Sequence, residues 1–205
     1  MTHFIDVSRT IESAAAMYPG DDPIQLPPVC QIGSEAPCNI TALQGWTTHF
    51  LTHMDAPRHF IADGATLDTY PLDRFYVDTV VVNVSGDAVV PSDVPANVSA
   101  KGVLFKTRNS GSDPDVFHED HVYITKEAAE LLVERGVSLV GVDGLSVDKF
   151  GDEDYPAHNT LLGADVLIIE GLELSEAESG AYKLIAAPLK IKEADGSPLR
   201  AVLAR

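Results

Sequence analysis

The sequence predicts a single α/β domain over residues 1–205, with a mixed β core and few helices. Three observations carry that expectation. The chain is 205 residues long, which is enough for one sizeable core and short for two. Several β-branched or apolar runs end at glycine, as strands do. One clear helix lies between two such runs, the order of a crossover unit.

Taken in chain order, "IQLPPVCQI" is an early extended segment. "VDTVVVNVSG" (Val77–Gly86) is a β-branched strand closed by glycine, and "GVLFKTR" (Gly102–Arg108) is another. "TKEAAELLVERG" is the helix. Thr125 can cap its N-terminus, Ala128, Leu131, Leu132 and Val133 supply apolar surface, and Gly136 can follow the last turn. "SLVGVDG" (Ser138–Gly144) and "DVLIIEG" (Asp165–Gly171) are short apolar runs of the kind buried on both faces of a sheet. "SEAE" at Ser175–Glu178 fits a capping box, so a short helix or turn is expected there. "YKLIAAPLKI" (Tyr182–Ile191) is a late strand in which Pro188 marks an edge or a bulge. The stretches Gly111–His121 and Phe150–Asn159, rich in Asp, Pro and Gly, are expected to be loops.

Composition narrows the function. A net charge of −17 with no basic run argues against a nucleic-acid partner and against an anionic membrane surface. No apolar run is long enough to span a bilayer. The first residues lack the basic and apolar regions of a secretion signal, so the expected location is cytoplasmic. Cys30 and Cys38 are the two cysteines; reduced thiols suit that compartment, with one short disulfide as the alternative.

The chemistry concentrates in "HFLTHMDAPRH", where His49, His53, Asp55 and His59 fall within eleven residues. A straight strand would spread His49 and His59 about 33 Å apart at roughly 3.3 Å per residue. A helix would align His49 with His53 but turn Asp55 away, and Pro57 would break it. The chain must therefore bend if these side chains act together. Two imidazoles and a carboxylate then supply three ligands to a zinc ion and leave a position for water. His59 is a fourth ligand or a general acid/base. Individually, each histidine also suits a hydrogen-bonded structural role. Further along, Glu170 ends an otherwise apolar run, where a buried carboxylate is costly unless paired or metal-bound. Either it is solvated just beyond the strand, or the strand end delivers it to the metal and the preceding loop delivers His158. The ligand types suit Zn²⁺ and Mn²⁺ alike.

"HFLTHMDAPRHF" resembles the HxGTHxDxPxH signature of the cyclase-like metal hydrolases, among them bacterial kynurenine formamidases. "MYPGDD", "VGVDGLSVD", "HNTLLGADVLIIEGL" and "YKLIAAPLKIKEADGSPLRAVL" are similar to further family segments in the same order, so the resemblance covers essentially the whole chain. It implies a swivelling β/β/α fold and a site of one or two metal ions. His49, His53 and Asp55 would bind the first, and Asp55 would bridge to a second held by His158 and Glu170. His59 would be the proton donor and acceptor, and Tyr18 would contact substrate where formamidases usually have Trp. The second departure from the signature is Leu51, where the family has Gly. The resemblance also implies a homodimer or homotetramer.

The reaction implied is hydrolysis of a small amide, such as N-formylkynurenine to kynurenine and formate, by metal-bound hydroxide with a histidine acid/base. The alternatives are the same site acting on a lactone, an isatin-like cyclic amide or a small hydroxy acid, and a non-catalytic metal-binding protein of the same fold. A serine hydrolase is disfavoured because no GxSxG elbow is present. Asp143 and Ser146 in "VDGLSVD" are read as ordinary loop hydrogen-bonders, with support of the metal ligands as the alternative. His3, His118 and His121 are read as surface or loop residues.

Overall fold

A computed structural model describes residues 2–33, 36–96 and 100–205. Its strands are β1 (Phe4–Asp6), β2 (Pro28–Cys30), β3 (Ile40–Thr41), β4 (His53–Asp55), β5 (Tyr76–Asn83), β6 (Ala88–Val89), β7 (Gly102–Lys106), β8 (Tyr123–Ile124), β9 (Leu139–Val142), β10 (Leu167–Glu170), β11 (Gly180–Ile185), β12 (Gly196–Pro198) and β13 (Val202–Ala204). Two α-helices occur among the described residues, α1 (Lys126–Glu134) and α2 (Pro156–Gly163). No helix among them is long and apolar enough to cross a membrane.

Nine strands form one mixed sheet in the order β1-β13-β11-β5-β7-β9-β10-β4-β12. Its centre, β5-β7-β9-β10, is parallel, as the apolar runs and the crossover helix predict. The flanks are antiparallel, so the sheet is mixed. Side chains alternate between its faces. Met54, Leu104, Leu139, Leu167 and Ile169 fill one side, packed with Leu67, Phe75, Leu174 and Leu184. Val103, Phe105, Val140, Val142 and Ile168 fill the other, beneath the two helices. By the same alternation His53, Asp55 and Glu170 belong to the helical side.

Helix α1 matches expectation: the Thr125 hydroxyl accepts from the Ala128 amide, and Ala128, Ala129 and Leu132 are buried. Two expectations need correction. The stretch expected to be a loop through Asn159 becomes helical at Pro156, so His158 stands on α2 and not in a loop. Proline suits a first helical position because its missing N–H has no partner to lose there. Ala157, His158, Leu161 and Leu162 form the buried stripe of this helix. The late strand stops at Ile185, before Pro188, while a turn starts at Ser175, one of the two forms expected there.

The bend required between His49 and Asp55 occurs at Leu51, whose φ is +46°. Left-handed backbone costs a leucine roughly 1–2 kcal/mol. Its side chain is buried with Ile24 and Phe50, and burial of this kind contributes about 1.5–3 kcal/mol. The leucine is therefore tolerated at a position where glycine would be unstrained.

Candidate metal centre

Strand β4 supplies His53 and Asp55 on one face, two residues apart. Antiparallel pairing with β10 sets Glu170 directly opposite His53. Helix α2 lowers His158 onto the same point, and the turn at Leu51 returns His49 to it. The His49 Nδ1 lies 2.8 Å from Asp55 Oδ1. His53 Nε2 is 3.2 Å from Asp55 Oδ1 and 3.4 Å from Glu170 Oε2. His158 Nε2 is 3.2 Å from Glu170 Oε1 and 3.6 Å from Asp55 Oδ2. His59, on the short 3₁₀ turn Pro57–His59, stacks on His49 with ring centres 3.7 Å apart. The structure thus brings together the five ligand candidates and His59.

Among the described residues, two donor sets have ligand atoms within 4.8 Å of one another, His49–Asp55–His59 and His53–Asp55–Glu170. Both share Asp55. They cut across the division implied by the resemblance, which groups His49 with His53.

Further contacts fix the ligand orientations. His53 Nδ1 is 2.9 Å from the Leu51 carbonyl, and His158 Nδ1 is 2.6 Å from Asp148 Oδ2. Each Nδ1–H has an acceptor, so each Nε2 faces the carboxylates. Asp148 also accepts from the Ala157 and His158 amides, which caps α2 from outside the helix. The Val147 amide donates to Glu170 Oε1. "VDGLSVD" therefore serves the site through Val147 and Asp148. Asp143 instead accepts from Thr107 and Ser110, the ordinary loop role, and Ser146 lines the cavity while its hydroxyl accepts from the Asp148 amide. His121 is buried, contrary to its reading as a surface residue, with its ring nitrogens near the carbonyls of His118 and Asp148.

The electrostatics tie the imidazoles to the carboxylates. Burial opposes charge on every member, yet opposite charges prevail. Against that burial, Asp55 and Glu170 raise His53 to about 10. Burial likewise opposes a charged His158, but Glu170, Asp148 and Asp55 hold its pKa well above the usual imidazole range. Burial and Asp55 work against ionising Glu170, while His158 and His53 hold it down at about 2. Asp55 is fully buried; His53, His158 and His49 keep it ionised far below the usual carboxylate range despite that burial. His59 behaves differently: burial, reinforced by His49 and His158 and only partly opposed by Asp55, lowers it to about 4. His49 Nε2, Asp55 Oδ2 and His158 Nε2 are buried without a hydrogen bond. Buried polar atoms of this kind are costly unless satisfied. Imidazole nitrogens and carboxylate oxygens gathered around Asp55 are the donors that satisfy a divalent cation, so the residues fit the expected metal.

A cavity of about 360 Å³ opens over the cluster. Tyr18, Phe60 and Tyr155 line it together with the histidines. Tyr18 packs edge-on against Phe117 and Phe150, at 5.3 and 6.1 Å between ring centres. Tyr155 has φ +45° and contacts Phe60 at 5.2 Å. Left-handed backbone is thus found both at Leu51, beside the ligand strand, and at Tyr155, in the pocket lining.

Gly171 follows Glu170 with φ +65°, and an added Cβ would strike the backbone of Leu51. Gly171→Ala is expected to destabilise the fold by more than about 1 kcal/mol and to loosen Glu170. A chemical denaturation midpoint equal to wild type would contradict this.

Imidazoles and carboxylates converging at the floor of a cavity define the class of site, one suited to a metal ion within reach of a small molecule. The chain matches the Cyclase family over residues 5–149, and it belongs to that family. A kynurenine formamidase of Salinibacter ruber (strain DSM 13855 / M31) is 39% identical over 206 residues, covering 97% of this chain and 96% of that protein. Among solved structures, a "predicted metal-dependent hydrolase" from Bacillus stearothermophilus matches with a TM-score of 0.84 and 29% identity, covering 100% of this chain and 98% of that one. Isatin hydrolase A from Labrenzia aggregata, bound to benzyl benzoate, matches with a TM-score of 0.81 and 25% identity, covering 99% and 93%.

Proposed function

We propose that this protein is a metal-dependent amidohydrolase that removes a formyl group from an aryl formamide of the N-formylkynurenine type. The observation that carries the reading is the buried cluster of His49, His53, Asp55, His158 and Glu170 beneath an aromatic-lined cavity, with His59 beside it. The formamidase relative supports the substrate class. Zn²⁺ is the cation we expect, with Mn²⁺ as the alternative.

When bound, the cation supplies Lewis acidity and lowers the pKa of a coordinated water to about 7. The protein does the rest. Tyr18, Phe60 and Tyr155 receive the aryl group and shield the formyl carbon from bulk water. His59 takes the proton from the attacking water as the new C–O bond forms. It returns that proton to the amine nitrogen as the C–N bond breaks, so the products are the aryl amine and formate. Asp148 and the Leu51 carbonyl hold the tautomers of His158 and His53 throughout.

The isatin hydrolase neighbour supports a second reading, in which a cyclic amide opens in the same cavity. A substrate panel separates the two. N-formylkynurenine is expected to be turned over with the highest kcat/KM. Faster opening of isatin or of a lactone, with no formamide cleavage, would transfer the assignment to the cyclic substrate.

We place the enzyme in the cytoplasm as a homodimer or homotetramer. The free thiols of Cys30 and Cys38, in hydrogen-bond contact at 4.0 Å, suit a reducing compartment. The exposed apolar side chains Val29, Ile32 and Ile40 around the β2–β3 hairpin support self-association.

A further inference from the structure

His49 differs from the other cluster histidines in what holds its outer edge. His53 and His158 each have an Nδ1 close to an acceptor behind the cluster. In His49 the Nδ1 is the inner nitrogen, turned to Asp55, and Nε2 is the outer one. That outer nitrogen is buried without a hydrogen bond, and Asp195 Oδ2 stands 3.2 Å away. Asp195 lies just before β12, whose pairing sets Gly196 opposite Asp55. The Asp195 carbonyl accepts from the Ala56 amide, and its Oδ1 accepts from the Thr48 hydroxyl at 2.9 Å. Its second oxygen is left free of Thr48 and stands within ion-pair distance of His49 Nε2. The next residue completes the fit. A Cβ on Gly196 would come within 2.6 Å of the His49 ring, so the bare backbone is a shelf for that ring. His59 covers the opposite face of the ring.

We propose that Asp195 is a positioning residue for the metal centre: with Gly196 as a shelf, it fixes the plane and tautomer of His49 by accepting from Nε2–H. This rests on the reading above that His49 binds the metal. A carboxylate behind a metal-bound imidazole raises its basicity and holds its orientation, and losing one costs about 10–100-fold in metal affinity.

Asp195→Asn is the informative variant. Its side-chain oxygen can still accept from Thr48, while its amide presents a donor where His49 needs an acceptor. Zn²⁺ affinity is measured by chelator competition for wild type, H49A, D195N, D195A, D195E and G196A, and the absorption spectrum of each protein saturated with Co²⁺ is recorded. The expected result is a 10–100-fold loss of Zn²⁺ affinity in D195N and G196A with altered Co²⁺ bands, and partial recovery in D195E. Wild-type affinity and spectrum in D195N would overturn the proposal, and would do so equally if D195A alone were weakened, since Asp195 would then act only through Thr48. Undiminished affinity in H49A would remove His49 from the ligand set and this proposal with it. Failure of wild type to bind Zn²⁺ or Co²⁺ would instead overturn the metal-centre reading itself.

Discussion

Asp55→Ala empties the metal centre and destabilises the metal-free chain. Asp55 is fully buried and within 3.6 Å of nitrogens from His49, His53 and His158. No other side chain is shared by both donor sets. Its loss removes a common ligand and also the countercharge of the buried His53 and His158 and the half-buried His49. Breaking a buried charge pair from one side costs on the order of 3 kcal/mol. For a chain of this length that lowers the melting temperature by about 6–12 °C. Asp55→Asn keeps the shape and is expected to lose the metal with a smaller change in melting temperature. Metal analysis alongside thermal denaturation checks both variants. Full metal content in Asp55→Ala would refute the shared-ligand role.

His59→Ala separates chemistry from metal binding. His59 stacks on His49 and lies 5.7 Å, centre to centre, from the His158 ring. It forms the cluster's edge on the cavity side. Losing a positioned acid/base typically costs about 10²–10⁴-fold in turnover. The expected result is therefore a kcat lower by that factor, with KM little changed and the metal retained. If His59 serves chiefly as a ligand, metal content falls in step with activity. If the protein is a binding module, substitution leaves no activity to lose, because wild type has none.

The cluster was legible because its chemistry is dense in sequence. Three histidines and an aspartate within "HFLTHMDAPRH" required a bend, and the bend exists. That Leu51 would make it by entering left-handed backbone was hidden, since the residue type argues against that conformation. Glu170 was legible because a carboxylate interrupts an apolar run. The parallel centre of the sheet was legible in the apolar strands themselves and in the helix between two of them. Helix α2 was not. It is eight residues long, begins at a proline, and takes its cap from Asp148, which lies outside any local capping pattern. Missing the helix meant missing Asp148 as well. Asp195 was out of reach for a different reason: β12 reaches β4 by pairing across 141 positions, Gly196 against Asp55, and no local pattern encodes it. His121 was misread because an acidic neighbourhood implies exposure, while its own ring turns inward to two carbonyls.

The central claim is that the buried imidazole–carboxylate cluster is a metal centre that hydrolyses a formamide. Hydrolysis of N-formylkynurenine by chelator-stripped protein, before and after resupply of Zn²⁺ or Mn²⁺, tests it most directly. The account predicts a folded, inactive stripped protein whose activity returns as one or two equivalents of metal bind. Undiminished hydrolysis by the stripped protein, or no hydrolysis by the metal-loaded one, would contradict it.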